Sequence, residues 1–214
     1  MKVVGLIPIK LNSKRLPRKN IKLLNNKPLC QYLFNTVKNM NDFDEIYCYC
    51  SDDEIKKYLP KEIIFLKRKE SLDADSTSMN NVISSFISEI TADIYVLLHV
   101  TSPFITNNTI SICINNVKNK NYDSAFSAKK IKGFLWENKQ AINFDPSNIP
   151  RTQDLKSIYE ETSSIYVFKK YIFIDYNRRV GFNSYIHIAK FKEQIDIDTI
   201  DDFNLAEKLC DITL

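Results

Sequence analysis

The sequence predicts an α/β domain whose central sheet is mostly parallel and covered by helices on both faces. Short apolar runs alternate with segments of helical periodicity over roughly the first 125 residues, the pattern of repeated strand–helix–strand units. The most apolar run, residues 93–100 (DIYVLLHV), is nearly continuous, as expected of a central strand buried on both faces. A length of 214 residues, 44% hydrophobic and 26% charged, suits one domain, 1–214, with a substantial core.

Residues 2–9 form the first apolar run and read as a buried strand. A polar, basic loop follows. Pro28 stands where a helix could start, and Leu29, Leu33 and Val37 recur at helical spacing. Residues 45–50 (EIYCYC) predict the second strand. Ser51 then serves as the expected N-cap of a short helix with acids in its first turn. Residues 63–67 predict a third strand. Met79, Val82, Ile83, Phe86, Ile87 and Ile90 trace one face of a helix. Beyond the central strand come a helix over about 107–118 and a strand over 124–128. The alternation then breaks. Residues 133–144 (GFLWENKQAINF) read as a β-hairpin within a small β excursion near 130–170, suited to a dimerisation arm. A last strand near 185–191 leads into a C-terminal helix starting at Thr199, with Asp202 completing a capping box.

Charge and composition exclude several classes. A net charge of +4 is too small for a nucleic-acid binder with a basic face. No apolar run approaches the ~18 residues of a membrane span, and the start of the chain lacks the pattern of a secretory signal. No membrane partner and a cytoplasmic location are therefore expected. Five cysteines, an odd number without a disulfide framework, read as reduced thiols. Cys48 and Cys50 share a strand face and read as core.

In a sheet of this kind ligands bind beyond the carboxyl ends of the strands, so the loops after Ile9, Cys50 and Val100 are the places to look. The first of these carries Lys10, Lys14, Arg15, Arg18, Lys19 and Lys22 and no acid. It suits a polyphosphate, which needs cations and backbone N–H donors; the plain alternative is a solvated basic loop. It is no Walker A loop, since it contains no glycine. Asn12 is the residue best suited to a left-handed turn in it. Asp196 and Asp198, two apart in an extended segment, point the same way and could share a hard cation, or could be acids at a helix N-terminus.

Residues 7–20 (IPIKLNSKRLPRKN) resemble the opening motif of the acylneuraminate cytidylyltransferase family, whose members activate sialic acid, other nonulosonic acids and Kdo. Ser13, Lys14, Lys19 and Asn20 match it. Further similarities follow in order: Asn26-Lys27-Pro28-Leu29; Ser51-Asp52-Asp53; Arg68, Leu72 and Asp75; Thr101-Ser102-Pro103; Arg151-Thr152-Gln153-Asp154-Leu155; and Ile195-Asp196-Ile197-Asp198-Thr199 with Asp202-Phe203 and Leu205-Ala206-Glu207. The chain departs from the family pattern at Lys10, where arginine is usual, at Ile9, where a small residue is usual, and at His99, where glutamine is frequent. It also departs at Thr162-Ser163-Ser164, which replace N-G-A.

The resemblance implies a Rossmann-like nucleotidyltransferase fold, a homodimer by family habit, and a Mg²⁺-dependent reaction of CTP with a sialic-acid-like sugar acid. The products would be a CMP-sugar, for surface polysaccharide or glycan synthesis, and pyrophosphate. It implies Lys10, Asn12, Ser13, Lys14, Lys19, Asn20, Arg68 and Asp75 as nucleotide-binding residues, with Lys14, Lys19, Asp196 and Asp198 central to catalysis. Asp196 and Asp198 would carry the metal, and His99, Thr101, Ser102, Arg151 and Gln153 would meet the acceptor. His99 could also take the acceptor's proton. Two alternatives remain at this stage: a phosphorylated sugar, polyol or other small phosphate as acceptor, giving a CDP product, and a non-catalytic nucleotide-binding protein.

Overall fold

The computed structural model describes residues 1–211. The expected span of 1–214 therefore includes three residues, 212–214, that lie outside the described ones. Strand β1 (Val3–Ile9) is followed by a hairpin of β2 (Leu23–Leu24) and β3 (Lys27–Pro28). Asn25 and Asn26 both take positive φ in its turn, a geometry asparagine tolerates at low cost. Helix α1 (Leu29–Val37), β4 (Glu45–Cys50) and β5 (Ile64–Lys67) come next. Helix α2 (Met79–Glu89), capped by Ser78, β6 (Ile94–Leu98) and α3 (Asn107–Asn119), capped by Thr106, complete the regular alternation.

The second part holds β7 (Ser124–Ile131) and a small hairpin of β8 (Trp136–Glu137) and β9 (Gln140–Ala141). Then come β10 (Ile158–Lys169), α4 (Lys170–Tyr176), β11 (Ser184–Ile188) and α5 (Ile200–Cys210). Thr199 and Asp202 form the expected reciprocal capping box at the start of α5.

Seven strands make one sheet in the order β11-β7-β10-β6-β1-β4-β5, so the most apolar strand is the middle one. All pairs are parallel except those of β10, which runs antiparallel between β6 and β7. The twelve residues of β10 are absent from the sequence-based expectation. Its first part, Ile158 to Glu161, is mostly exposed and polar, and its register shifts before Tyr166, so no alternation marks it. Ser163, inside that irregularity, has φ of 58°.

Alternate residues of β1 feed two cores. Val3, Ile7 and Ile9 join Cys48, Cys50 and the inner faces of α1 and α3. Val4 and Leu6 join Phe86, Tyr95 and Phe168 beneath α2. The five cysteines are unpaired and four are buried; burial pushes the Cys30 and Cys113 thiols up to about 12. A third, smaller core joins Leu16, Leu24, Leu29, Ile197, Phe203 and Ala206. It packs the basic loop against the segment leading into α5, two regions at opposite ends of the sequence.

Two local expectations need correction. Ser51 does not cap the helix after β4. Asp52 does, its carboxylate accepting from the Glu54 N–H at 2.8 Å, and the helix is a 3-10 turn over Asp53–Tyr58. Asn12 does not take the left-handed turn of the basic loop. Arg18 does, with φ of 54°, and its guanidinium donates to both Glu54 oxygens at 2.7 and 2.8 Å. A bidentate ion pair can hold a residue in a conformation it would otherwise avoid.

Candidate functional site

Chain order on the sheet reverses between β1 and β6, since β4 follows β1 on one side and β6 lies on the other. The crevice beyond the carboxyl ends of two such strands is where α/β sheets bind ligands. A cavity of about 570 Å³ opens there. Pro8, Lys10, Ser13, Lys14, Arg15, Leu16, Lys19 and Asn20 form one wall, continuing β1. Arg68, just past β5, and Leu72, Ala74, Asp75, Thr77, Met79 and Val82, leading into α2, form the second. His99, Val100 and Thr101, following β6, and Asp198, preceding α5, close it.

Four of the six loop cations therefore reach the cavity. Arg18 is turned onto Glu54, and Lys22 lies over the Phe203 ring at 5.2 Å. The four divide into fixed and free. Lys19 is buried: its ammonium donates to the Ile197 carbonyl at 2.5 Å and to Asp198 Oδ1 at 3.0 Å. Lys10, Lys14 and Arg15 are more open. Lys10 and Lys14 both pair with Asp75, and Arg15 reaches Asp198 Oδ2 at 2.8 Å. On the facing wall Arg68 is buried and fixed by Asp73.

Several polar atoms are buried without a partner among the described residues. Asn20 donates to the Lys10 carbonyl at 2.8 Å, while its Oδ1 has no partner. The same holds for Arg68 Nε, His99 Nε2, Ser102 Oγ and Asp196 Oδ1. Unsatisfied buried polar atoms cost free energy, and where they border a cavity a ligand can satisfy them. Asn20, Arg68 and His99 do border it.

Asp196 accepts a hydrogen bond from the Thr101 side chain, and burial pushes its carboxyl above the usual range. The Ile197 N–H donates to the Thr101 carbonyl at 2.8 Å, stapling the loop after β6 to the Asp196–Asp198 segment. Asp202 takes the helix-capping duty: its Oδ2 accepts from the backbone of Asp198 and Thr199. The other two carboxylates stay clear of that role. Among the described residues no group of three or more His, Cys, Asp and Glu side chains is arranged to hold a metal. A cation here would draw on Asp196 and Asp198 and take its remaining ligands from a bound anion and water.

Not every expected residue lines the cavity: Asp196 does not, although Asp198 does. Asn12 lines a neighbouring acidic hollow with Asp52, Asp53 and Asp73, because the loop turns outward before Ser13. Ser102 is fully buried behind Thr101. Arg151 and Gln153 lie on the excursion, exposed and away from the cavity, with Arg151 paired to Asp154 at 2.8 Å. Conversely, Arg15 is read from the sequence only as one of the loop's cations, Met79 only as part of a helix face, and Thr77 not at all. Thr77 and Met79 carry no motif signal and reach the cavity only because the segment before α2 folds over it.

A family model described as cytidylyltransferase matches residues 4–214. N-acylneuraminate cytidylyltransferase A of Danio rerio is 26% identical over 216 residues, covering 96% of this chain and 50% of that protein. The chain thus spans about half the length of that relative. Pseudaminic acid cytidylyltransferase of Campylobacter jejuni is 26% identical over 225 residues, covering 98% of this chain and 96% of that one. Among solved structures, CMP:2-keto-3-deoxy-manno-octonic acid synthetase complexed with CTP superposes with a TM-score of 0.73 at 16% identity, covering 98% of both chains. 4-diphosphocytidyl-2C-methyl-D-erythritol synthase from Anaerococcus prevotii gives 0.68 at 12% identity, covering 99% of this chain and 96% of that one. Both share the fold.

Two outcomes follow from the buried groups. Lys19→Met should lower stability in urea by about 1–3 kcal/mol, because the Ile197 carbonyl is left unpaired in the interior. Lys14→Met, at an exposed site, should leave the urea midpoint unchanged. Burial and the nearby Arg179 charge push the His99 imidazole down from 6.5 to about 4. Between those values the unfolded chain binds a proton that the folded chain does not, so stability falls as the pH drops from about 6.5 toward 4. His99→Gln should make that decline shallower, read as urea midpoints at pH 7 and 4.5.

Proposed function

The chain belongs to the cytidylyltransferase family, and we propose that it transfers the cytidylyl group of CTP to a sialic-acid-like, nonulosonic sugar acid. The observation that carries this reading is the cationic wall at the β1–β6 switch, faced by Asp198 and by the unpartnered polar atoms of Asn20 and Arg68. The cations suit a triphosphate, and the buried amide and guanidinium suit the edge of a base. An acceptor hydroxyl oxygen attacks the α-phosphorus and gives its proton to water, the bond to the bridging oxygen breaks, and pyrophosphate leaves. Lys19, held rigidly, keeps a positive charge beside the reacting phosphate. Lys10, Lys14 and Arg15 neutralise the leaving pyrophosphate, and the Ser13 hydroxyl adds a hydrogen bond. Positioning and preorganised charge supply the rate enhancement.

Asp196 and Asp198 hold Mg²⁺ in this reading, and the fit is chemical. Both are hard oxygen ligands, and Asp196 Oδ1 is buried without a partner. When bound, the ion supplies charge stabilisation at the phosphate oxygens. His99 faces the acceptor as a neutral imidazole and accepts a hydrogen bond. Burial and the Arg179 charge lower its basicity, which disfavours a role as general base.

The acceptor identity follows the printed names of the relatives, which include N-acylneuraminate and pseudaminic acid enzymes. A phosphorylated acceptor is less well supported, because Arg18, one of the cations that would favour it, is engaged by Glu54 outside the cavity. Arg151 and Gln153 can meet an acceptor only from a second copy of the chain. The excursion carries exposed Trp136, Ile142 and Ile149, apolar side chains that a homodimer would cover. A cytoplasmic location belongs to the same proposal.

The reaction is tested by following pyrophosphate release from CTP with Mg²⁺ and a panel of nonulosonic acids and sugar phosphates. Release is expected with the sugar acids, and to fall at least a hundredfold in Asp196→Asn and Asp198→Asn; the melting temperature should be retained in Asp196→Asn and lowered in Asp198→Asn, which takes the counter-charge from the buried Lys19 ammonium. Turnover of the phosphates alone would sink the proposed acceptor, and full activity of both variants would sink the metal assignment. Light scattering on the same preparation should report twice the 25.0 kDa chain mass; a monomer at assay concentration rejects the dimer.

A further inference from the structure

Asp75 pairs with two cations of the cavity wall, Lys10 and Lys14, at once. Its Oδ1 lies 3.2 Å from the Lys10 ammonium and its Oδ2 contacts the Lys14 ammonium. Lys10 also donates to the Asp73 carbonyl at 3.3 Å, so the second wall of the cavity reaches across to the basic loop. Two oxygens on a single centre, spanning two ammoniums, reproduce what a phosphate group offers the same side chains. Lys14 and Lys10 hold the Asp75 carboxyl below its usual range, so it carries its charge in this contact.

We propose that Asp75 is an internal counter-anion of the cavity: it positions Lys10 and Lys14 toward the site in the free protein and is exchanged for phosphate when a polyphosphate enters. This deepens the reading of the cavity as a nucleotide site and rests on it. It also changes the expected role of Asp75, from a group that binds the nucleotide to one that competes with it.

Exposure decides which contacts exchange. The Lys14 side chain is 79% exposed and that of Asp75 47%, and pairs so open to water are weakly held. Lys19 and Arg68, at 9% and 3%, are themselves buried and stay in place, Lys19 on the carbonyl of the buried Ile197 as well as on Asp198. An entering polyphosphate therefore meets two fixed cations and three more open ones, Arg15 on Asp198 and the two lysines whose shared partner, Asp75, is easily displaced. Once it holds both lysines, Asp75 faces an anion of like charge and must turn away. Asp75 lies three residues before Ser78, the cap of α2, in an exposed stretch that can accommodate the turn.

The test is titration of inorganic tripolyphosphate into the whole wild-type chain, Asp75→Asn and Asp75→Ser by calorimetry at low salt. Both variants should bind about two- to fivefold more tightly, the size expected for losing weak exposed competitors, and the gain should shrink as KCl screens the pairs. With CTP as substrate, the KM of Asp75→Asn should fall by a similar factor while kcat stays within about twofold, a split that a purely structural role would not produce. Tighter binding at an unchanged melting temperature supports the exchange. Unchanged or weaker tripolyphosphate binding in both variants, or none by the wild-type chain, overturns it. Tripolyphosphate binding without CTP turnover would refute the proposed reaction and leave the exchange standing.

Discussion

The buried ammonium of Lys19 organises everything around it. A lysine charge taken out of water is costly unless its donors are satisfied, and here the Ile197 carbonyl and the Asp198 carboxylate satisfy them. Those partners stand on the segment that enters α5, so meeting the lysine's needs fixes that segment against the loop after β1. Leu16 and Ile197 seal the contact in the same small core as Phe203. The loop after β6 is tied in by Ile197 donating to Thr101. One electrostatic requirement thereby sets three walls of the cavity in register.

Charge in the cavity follows a consistent division. Cations that lie inside, Lys19 and Arg68, have partners that stay put. Cations that lie in water, Lys10, Lys14 and Arg15, have partners they can leave. A site made only of fixed ion pairs would bind nothing further, and one made only of free cations would be held apart by repulsion. The mixture gives a wall that is neutralised at rest and still available to an anion.

Much of this was legible in the sequence for identifiable reasons. Strands buried on both faces and amphipathic helices leave strong periodic signals, which is why β1, β4, β6 and α2 were anticipated within a residue or two. The loop after β1 was visible as charge, and the Thr199–Asp202 cap as a pattern. Strand β10 was hidden because its early residues face water and hydrogen-bond only to β7. The identity of the left-handed residue was hidden too. Asparagine has the better intrinsic propensity, but the decisive contact, Arg18 with Glu54, joins residues 36 positions apart. Side chains such as Thr77 and Met79 become cavity walls through tertiary folding alone. Local sequence reports local preference, and it is silent where a distant partner overrides it.

The bond from Lys19 to the Asp198 carboxylate joins residues 179 positions apart. A ribosome moving along the message makes the lysine well before its partners. Until they emerge the basic loop has strand neighbours still to come and no acid from the α5 segment to neutralise it. Closing so long a loop is slow relative to local structure, because its entropy is lost before the contact forms. The cavity thus matures after the strands that carry it, and a nascent chain has no finished site before that closing segment has emerged.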